Sequence, residues 1–413
     1  MAYLRQEIQR YAPGQTLTLY PRDPLPPHGF PDLPKLAEVL KRLNRKKDLA
    51  EGEIHNFDPT TEFASGELAK VQVLRSIKGG ISSGAQLLLC EVLQVPTHTP
   101  PIGESSHYKS FNAGLKVVLK VFDPTFYPDA DDWDHVHRGM KSVDRAEAHI
   151  SRESRALRHL YDRGLTGHPH LSPNYHGSWA MKFNIGDSSD IRWRCAGAFL
   201  MEYIEGVSME SMYNSDKVLE IDPEKAFVSF PGSQGMRRMS FTDMSTRLKL
   251  LRTLLDGCVS FLHTGTKVNS LIPQNIFITL GNNGVDLQEP RVVYLDYTCC
   301  LVWSDTLTSQ TGRADEYDSL LPKVPSRYLL NVHPVERLPR PPHPAWKYNS
   351  SNLYFFDGWF PSKWKRCESP FHDWLVKEFG PLTAGRYSTY YDLVRVMEDA
   401  IARAKTRYLT DTG

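Results

Sequence analysis

The feature that most constrains this chain is an apolar run closing on a carboxylate, Val292-Val-Tyr-Leu-Asp296, which follows a loop ending on a carboxamide, Pro273-Gln-Asn275. Asn275 itself leads into a second apolar run from Ile276. A carboxylate at the end of an apolar strand and a carboxamide at the end of a nearby loop supply two hard oxygen ligands for magnesium, which keeps waters and takes nucleotide phosphates as its other partners. Upstream, Leu248, Leu251, Leu255, Val259 and Leu262 repeat at helical spacing, so a long helix from Ser245 to His263 is expected to deliver the chain to this loop.

At 413 residues the chain can bury one large bilobal core or two ordinary domains. Its 49 basic and 48 acidic residues nearly cancel, so no global attraction to nucleic acid or to an acidic membrane follows. The N-terminal residues lack the apolar core of a signal peptide, and no uninterrupted apolar run is long enough to span a bilayer. A soluble, intracellular and cytoplasmic protein is expected. The six cysteines do not form a dense disulfide framework or a Cys-x-x-Cys pair, so reduced thiols are the default. The vicinal Cys299 and Cys300 fit small apolar residues at the end of a buried strand, with redox or metal chemistry as the alternative.

Proline and glycine punctuate the chain. Residues 12 to 34 hold seven prolines and are expected to be extended or irregular. Leu36, Val39, Leu40 and Leu43 then share one face of a short helix over Pro34 to Leu43. From Leu68 to Phe122 β-branched runs predict strands near 70 to 77, 86 to 93 and 115 to 122, the start of a small sheet lobe. Lys120 lies inside an otherwise apolar strand, where its ammonium must find an anion or reach water. Lys116 shares its face by the period of two and is its rival. A helix follows from Ala146 to Tyr161 and carries Glu153. Between them, residues 123 to 143 hold Asp129, Asp131, Asp132, Asp134, His135 and His137, an exposed acidic loop with metal ligation as the alternative.

Taken in order, these motifs resemble the protein-kinase superfamily over residues 70 to 300. Leu115-Lys-Val-Val-Leu-Lys-Val-Phe122 resembles the third strand of the kinase small lobe, with Lys120 placed to reach nucleotide phosphates and Glu153 to orient it. Ala198-Phe-Leu-Met-Glu-Tyr-Ile-Glu-Gly206 resembles the fifth strand and hinge, which implies Met201 as gatekeeper and the backbone of Glu202 and Ile204 as adenine partners. Gly79 and Gly84 stand as the outer pair of a glycine-rich loop, with Ile81 replacing the middle glycine; a Gly-Gly hairpin turn fits the same residues. Asn275 and Asp296 take the metal-ligating positions, so the resemblance implies ATP and magnesium as cofactors. The fold it implies is α+β and bilobal: an extension over 1–60, a small β-rich lobe and hinge over 61–206, and a mainly helical lobe over 207–413.

Several positions depart from that pattern. Ser270 stands where the family carries its catalytic-loop aspartate, Val268 and Asn269 replace the loop histidine and arginine, and Thr298 replaces the glycine after the metal aspartate. No Ala-Pro-Glu follows, and a proline- and aromatic-rich stretch over 325–370 precedes a final helix expected from Thr389 to Tyr408. That tail resembles, in composition, the kinase-like proteins of filamentous fungi. Ser270 is not a useful base near neutral pH, so conventional protein phosphorylation is not expected. Three functions fit: a pseudokinase that binds ATP and magnesium and is recognised by a protein partner, an atypical phosphotransferase or other enzyme acting on a small-molecule substrate, and a nucleotide-free scaffold. None calls for nucleic acid or a membrane.

Overall fold

The computed structural model describes residues 2–46, 52–97, 111–128, 140–186, 192–214, 220–307, 337–348 and 353–382, with single positions and short stretches up to 399. The acidic and histidine-rich residues 129–139, the first part of the 325–370 stretch and most of the helix expected from Thr389 lie outside the described residues. The chain divides into two compact units: Met1–Tyr161, Pro173–Tyr203 and Tyr297–Cys299 form one, and Asp162–Ser172, Ile204–Asp296 and Cys300–Gly413 the other.

The first unit is built on β1 (Thr16–Pro21), β2 (Ala69–Lys78), β3 (Gln86–Gln94), β4 (Lys116–Phe122), β5 (Tyr175–Asn184) and β6 (Trp193–Glu202). These form a closed barrel in the order β1-β2-β3-β4-β6-β5, every neighbouring pair antiparallel. Alternation fills it: Leu17 and Leu19 of β1, Val71 and Val73 of β2, and Val117, Leu119 and Val121 of β4 point into one buried cluster.

Residues 12–34, expected to be irregular, instead contribute the strand that closes this barrel. The seven prolines leave Gly14 to Tyr20 untouched, and within that gap the side chains alternate between core and surface. Tyr20 pairs with Ala180 and Pro21 with Trp179. Pro21, which has no N–H to donate, takes the last position of the strand, where the lost ladder bond costs least. An open small sheet therefore becomes a barrel without a free edge.

Three helices surround it: α1 (Ala2–Ile8), α2 (Leu36–Arg42) and α3 (Ser142–Asp162). In α2, Val39 and Leu40 pack on Leu25, as the helical spacing requires. The 21-residue α3 begins earlier than the apolar pattern indicated and buries Ala148, Ile150, Ala156, Leu157 and Leu160. At Gly197 of β6 a Cβ would fall 2.9 Å from Ile150 Cδ1 and 2.5 Å from Arg22 Nη1, so glycine there is what lets α3 and the chain after β1 come so close to the barrel wall. A buried ionic group anchors α1: Arg194 pairs with Glu7 at 2.5 Å and with Asp123, which also accepts from the Tyr11 hydroxyl at 2.7 Å.

The second unit contains α4 (Met244–His263) and α5 (Glu368–Phe379), with strands β7 (Gly206–Ser208), β8 (Phe227–Phe230), β9 (Arg237–Ser240), β10 (Thr266–Lys267), β11 (Ile276–Asn282), β12 (Val285–Tyr294) and β13 (Leu301–Val302). Among the described residues it is mixed α and β, where a mainly helical unit was expected; β8 and β9, at four residues each, are too short to read as strands from sequence. The order β12-β11-β7 makes a three-stranded antiparallel sheet. Helix α4 is capped by Asp243, whose carboxylate accepts from the Thr246 amide at 3.1 Å. The aromatic-rich segment forms core: Phe356, Trp359 and Phe360 are fully buried, and Phe360 packs on Trp364 and Phe371. Among the described residues no helix is long and apolar enough to cross a membrane.

Candidate functional site

Within the first unit the site begins with β4. Because Val117, Leu119 and Val121 turn into the barrel, Lys116, Val118 and Lys120 fall on its outer face. The Lys120 ammonium donates to both carboxylate oxygens of Glu153 on α3, at 2.7 and 2.6 Å. The side chains are 13% and 2% exposed, so solvent screens their attraction weakly. Lys116, the rival on the same face, is exposed and pairs across the ladder with Glu91. Two residues missed in the sequence complete the group. The Thr298 hydroxyl donates to Glu153 Oε1 at 2.7 Å, and the Arg152 guanidinium donates to the Thr298 carbonyl at 3.0 Å. Arg152 is 2% exposed, a burial that its charge does not announce in the sequence.

The turn between β2 and β3 is organised by a side chain that sequence inspection overlooked. Gln86, itself buried, accepts from the Gly80 amide at 2.8 Å and donates to the carbonyls of Gly80 and Gly84 at 3.2 and 2.9 Å. The Gly84 amide donates to the Phe126 carbonyl at 3.0 Å, and that of Ser83 to Gly80 at 3.4 Å. Gly79 leaves room for this carboxamide, since a Cβ there would lie 2.2 Å from Gln86 Oε1; Gly84 adopts φ +73. The glycines thus serve a turn folded around Gln86, with the amides of residues 80, 83 and 84 engaged internally.

Met201 and Glu202 end β6, where they pair with Val118 and Val117. The Glu202 amide donates to the Asn174 carbonyl at 2.9 Å, and its buried carboxylate accepts from the Asn174 amide at 3.0 Å and side chain at 3.2 Å. Ile204, also buried, belongs to the second unit.

Within the second unit the loop after β10 and the end of β12 meet. The Leu295 amide donates to the Asn275 carbonyl at 3.0 Å, fixing one backbone on the other. The Asn275 carboxamide nitrogen donates to the Ser270 carbonyl at 3.1 Å and to Asp296 Oδ2 at 3.3 Å. Asn275 and Asp296 therefore lie together as the sequence order implied. Ser270 contributes its backbone: its carbonyl also accepts from the Ile272 amide at 3.0 Å. The adjacent carboxylate of Asp296 and carboxamide of Asn275 carry hard oxygen donors of the kind that could hold magnesium. Among the described residues no group of three His, Cys, Asp or Glu is placed to hold a metal ion.

All six cysteines are free, and burial pushes the thiols of Cys90 and Cys258 up to about 12 and that of Cys195 to about 11, which keeps them from acting as thiolates at neutral pH. A cavity of about 380 Å³ in the first unit is lined by Asp123, Thr125, Ser142 and Arg194 and not by Lys120.

No protein-family model matches the chain, and no curated protein matches it. Among solved structures it is similar to the PknI kinase domain of Mycobacterium tuberculosis, with 14% identity, coverage of 86% of this chain and 100% of that one, and a TM-score of 0.32. A double mutant of that domain gives 15% identity, 86% and 99% coverage, and a TM-score of 0.30.

Proposed function

We propose that this chain is a divergent protein-kinase-like protein that binds ATP with magnesium and acts as a pseudokinase regulator or scaffold recognised by a protein partner. The observation that carries the reading is the Lys120–Glu153 pair, formed by a lysine inside an apolar strand and a glutamate on the next helix. A shielded ammonium held in this way is a fixed cation for phosphate oxygens. Asn275 and Asp296 are the proposed holders of magnesium, which when bound neutralises phosphate charge. Glu202 and Ile204 are the proposed adenine contacts; the engagement of the Glu202 amide with Asn174 leaves that role to its carbonyl.

Ser270 supports a binding role over phosphorylation of proteins. Its carbonyl helps position Asn275, and its hydroxyl is too weak a proton acceptor to replace a carboxylate. The turn at Gly79 to Gly84 spends its amides on Gln86, Phe126 and Gly80, so in this reading the phosphate contacts fall to Lys120 and to the magnesium.

A thermal-shift titration tests the proposal. ATP with magnesium at a hundred times its Kd is expected to stabilise the fold by about 2.7 kcal/mol. Asp296→Ala removes the magnesium-dependent part, and Lys120→Met weakens binding without unfolding the chain. Ser270→Ala retains wild-type affinity, and labelled phosphate is not transferred to peptide mixtures. No shift with any purine nucleotide at millimolar concentration defeats the proposal in favour of a nucleotide-free scaffold. Transfer to a metabolite that falls with Ser270→Ala would replace it with a small-molecule phosphotransferase.

A further inference from the structure

One end of the closed barrel carries polar groups for which nucleotide binding has no use. On β6, Arg194 has the inward parity of Ala196, Ala198 and Leu200, so its guanidinium stands at the end of the barrel core, over the Phe183 ring at 4.9 Å. It pairs with Asp123, just after β4, and with Glu7 of α1, which Arg10 also holds at 2.8 Å. Two arginines thus face two carboxylates, and the group is neutral as a whole. Asp123 and Arg194 form part of the wall of the cavity of about 380 Å³, which lies within the first unit. Its other walls come from Tyr3 of α1, Gly52, Thr125, the start of α3 and Ile185. One wall is fixed by backbone. Gly52, at φ +85, lies so close to β6 that a Cβ would fall 2.6 Å from the Trp193 carbonyl oxygen, and its own carbonyl accepts from the Cys195 amide at 2.7 Å.

The fold does not consume every polar group around this hollow. Arg194 is 4% exposed, and its Nε has no hydrogen-bond partner among the described residues, although buried polar groups are nearly always paired. Ser142 and Val143, which line the cavity, open the 21-residue α3. The first amides of a helix have no acceptor within it and favour negative charge. A guanidinium nitrogen and helix amides on the same cavity call for a carboxylate. Asp123 and the exposed Glu53 also line it, and like charges set side by side disfavour a ligand of net negative charge while drawing an ammonium. The volume stands near the lower end of the roughly 300–1,000 Å³ usual for small-molecule sites, which suits a small solute better than a peptide. We propose that this cavity at the end of the barrel binds a small zwitterion of amino-acid size, its carboxylate received by Arg194 and the first turn of α3 and its ammonium by Glu53. Lys120 does not line the cavity, and the proposal does not rest on nucleotide binding.

Saturation-transfer NMR on the full chain tests it, with the common L-amino acids as probes and acetate and methylammonium as their separate halves. At least one amino acid is expected to bind, and each half-molecule about tenfold or more weakly, because each lacks one charged partner. Ile185→Trp fills the cavity and is expected to abolish the signal, while the ATP thermal shift of the variant matches that of the wild type. Glu53→Gln removes the ammonium partner and weakens the amino acid to the level of acetate. Glu53 is exposed, so this variant carries the test should Ile185→Trp fail to fold. Absence of transfer from every amino acid overturns the proposal, as does binding that survives Ile185→Trp or ignores Glu53→Gln. Acetate binding as tightly as the best amino acid also overturns it, in favour of a simple anion site. Amino-acid binding by a chain that ignores ATP leaves this site standing and the nucleotide proposal refuted.

Discussion

The hydroxyl of Thr298 donates to Oε1 of Glu153 at 2.7 Å, so the residue two places beyond Asp296 holds the carboxylate that Lys120 also grips. The kinase resemblance places a glycine at this position, and a glycine has no side chain with which to make that bond. The substitution is thus a gain of structure. It adds one hydrogen bond to a carboxylate that already accepts two from Lys120, and Tyr297–Cys299 belong to the unit that contains α3.

Thr298→Val keeps the shape and removes the donor. A bond to a charged acceptor is worth roughly 1.5–3 kcal/mol. The expected outcome is a fall of that size in unfolding free energy, read as a lower urea midpoint with an unchanged slope. Thr298→Ser retains most of it. Equal midpoints for the wild type and Thr298→Val would show that Lys120 alone positions Glu153.

The turn around Gln86 makes a second prediction. Gln86→Leu preserves volume but leaves the Gly80 amide and the carbonyls of Gly80 and Gly84 without their partner, at a cost of roughly 1–3 kcal/mol. Gly79→Ala drives a methyl into the same carboxamide, 2.2 Å from Oε1, and destabilises as well. Since both act on one contact, the double variant Gly79→Ala/Gln86→Leu is expected to cost less than the sum of the singles. Additive losses in denaturant titrations would mean that Gln86 does not organise the turn.

The parts of the molecule legible in sequence were those where local pattern and burial coincide. The strands near 70 to 77, 86 to 93 and 115 to 122 and the helices carrying Glu153 and Leu251 all appear because their apolar residues repeat at the period of the element they form. The mutual approach of Lys120 and Glu153, and of Asn275 and Asp296, was legible only through the order of motifs along the chain. Strand β1 was hidden because seven prolines outweighed a four-residue alternation around Leu17 and Leu19. Gln86, Arg152 and Thr298 were hidden for another reason. Each acts through a partner distant in sequence or through backbone atoms, and neither composition nor periodicity registers such bonds.

His176 supplies a prediction about acid. It lies at the start of β5, is fully buried against the Phe111 ring at 5.2 Å, and burial lowers it from 6.5 to about 3. The folded state therefore keeps the imidazole neutral where the unfolded chain would protonate it. Above pH 6.5 neither state takes the proton and stability is unaffected. As pH falls from 6.5 towards 3 the unfolded state gains a proton that the fold does not, and stability drops by up to about 1.4 kcal/mol per pH unit from this group. His28 and His55 are lowered by burial as well and add to the same loss. His176→Phe, which cannot titrate, is expected to show a shallower decline between pH 6 and pH 4 by up to that slope, measured as unfolding free energy from urea titrations at each pH. Parallel curves for the variant and the wild type would place the proton on His176 in the folded state and refute its burial as a neutral ring.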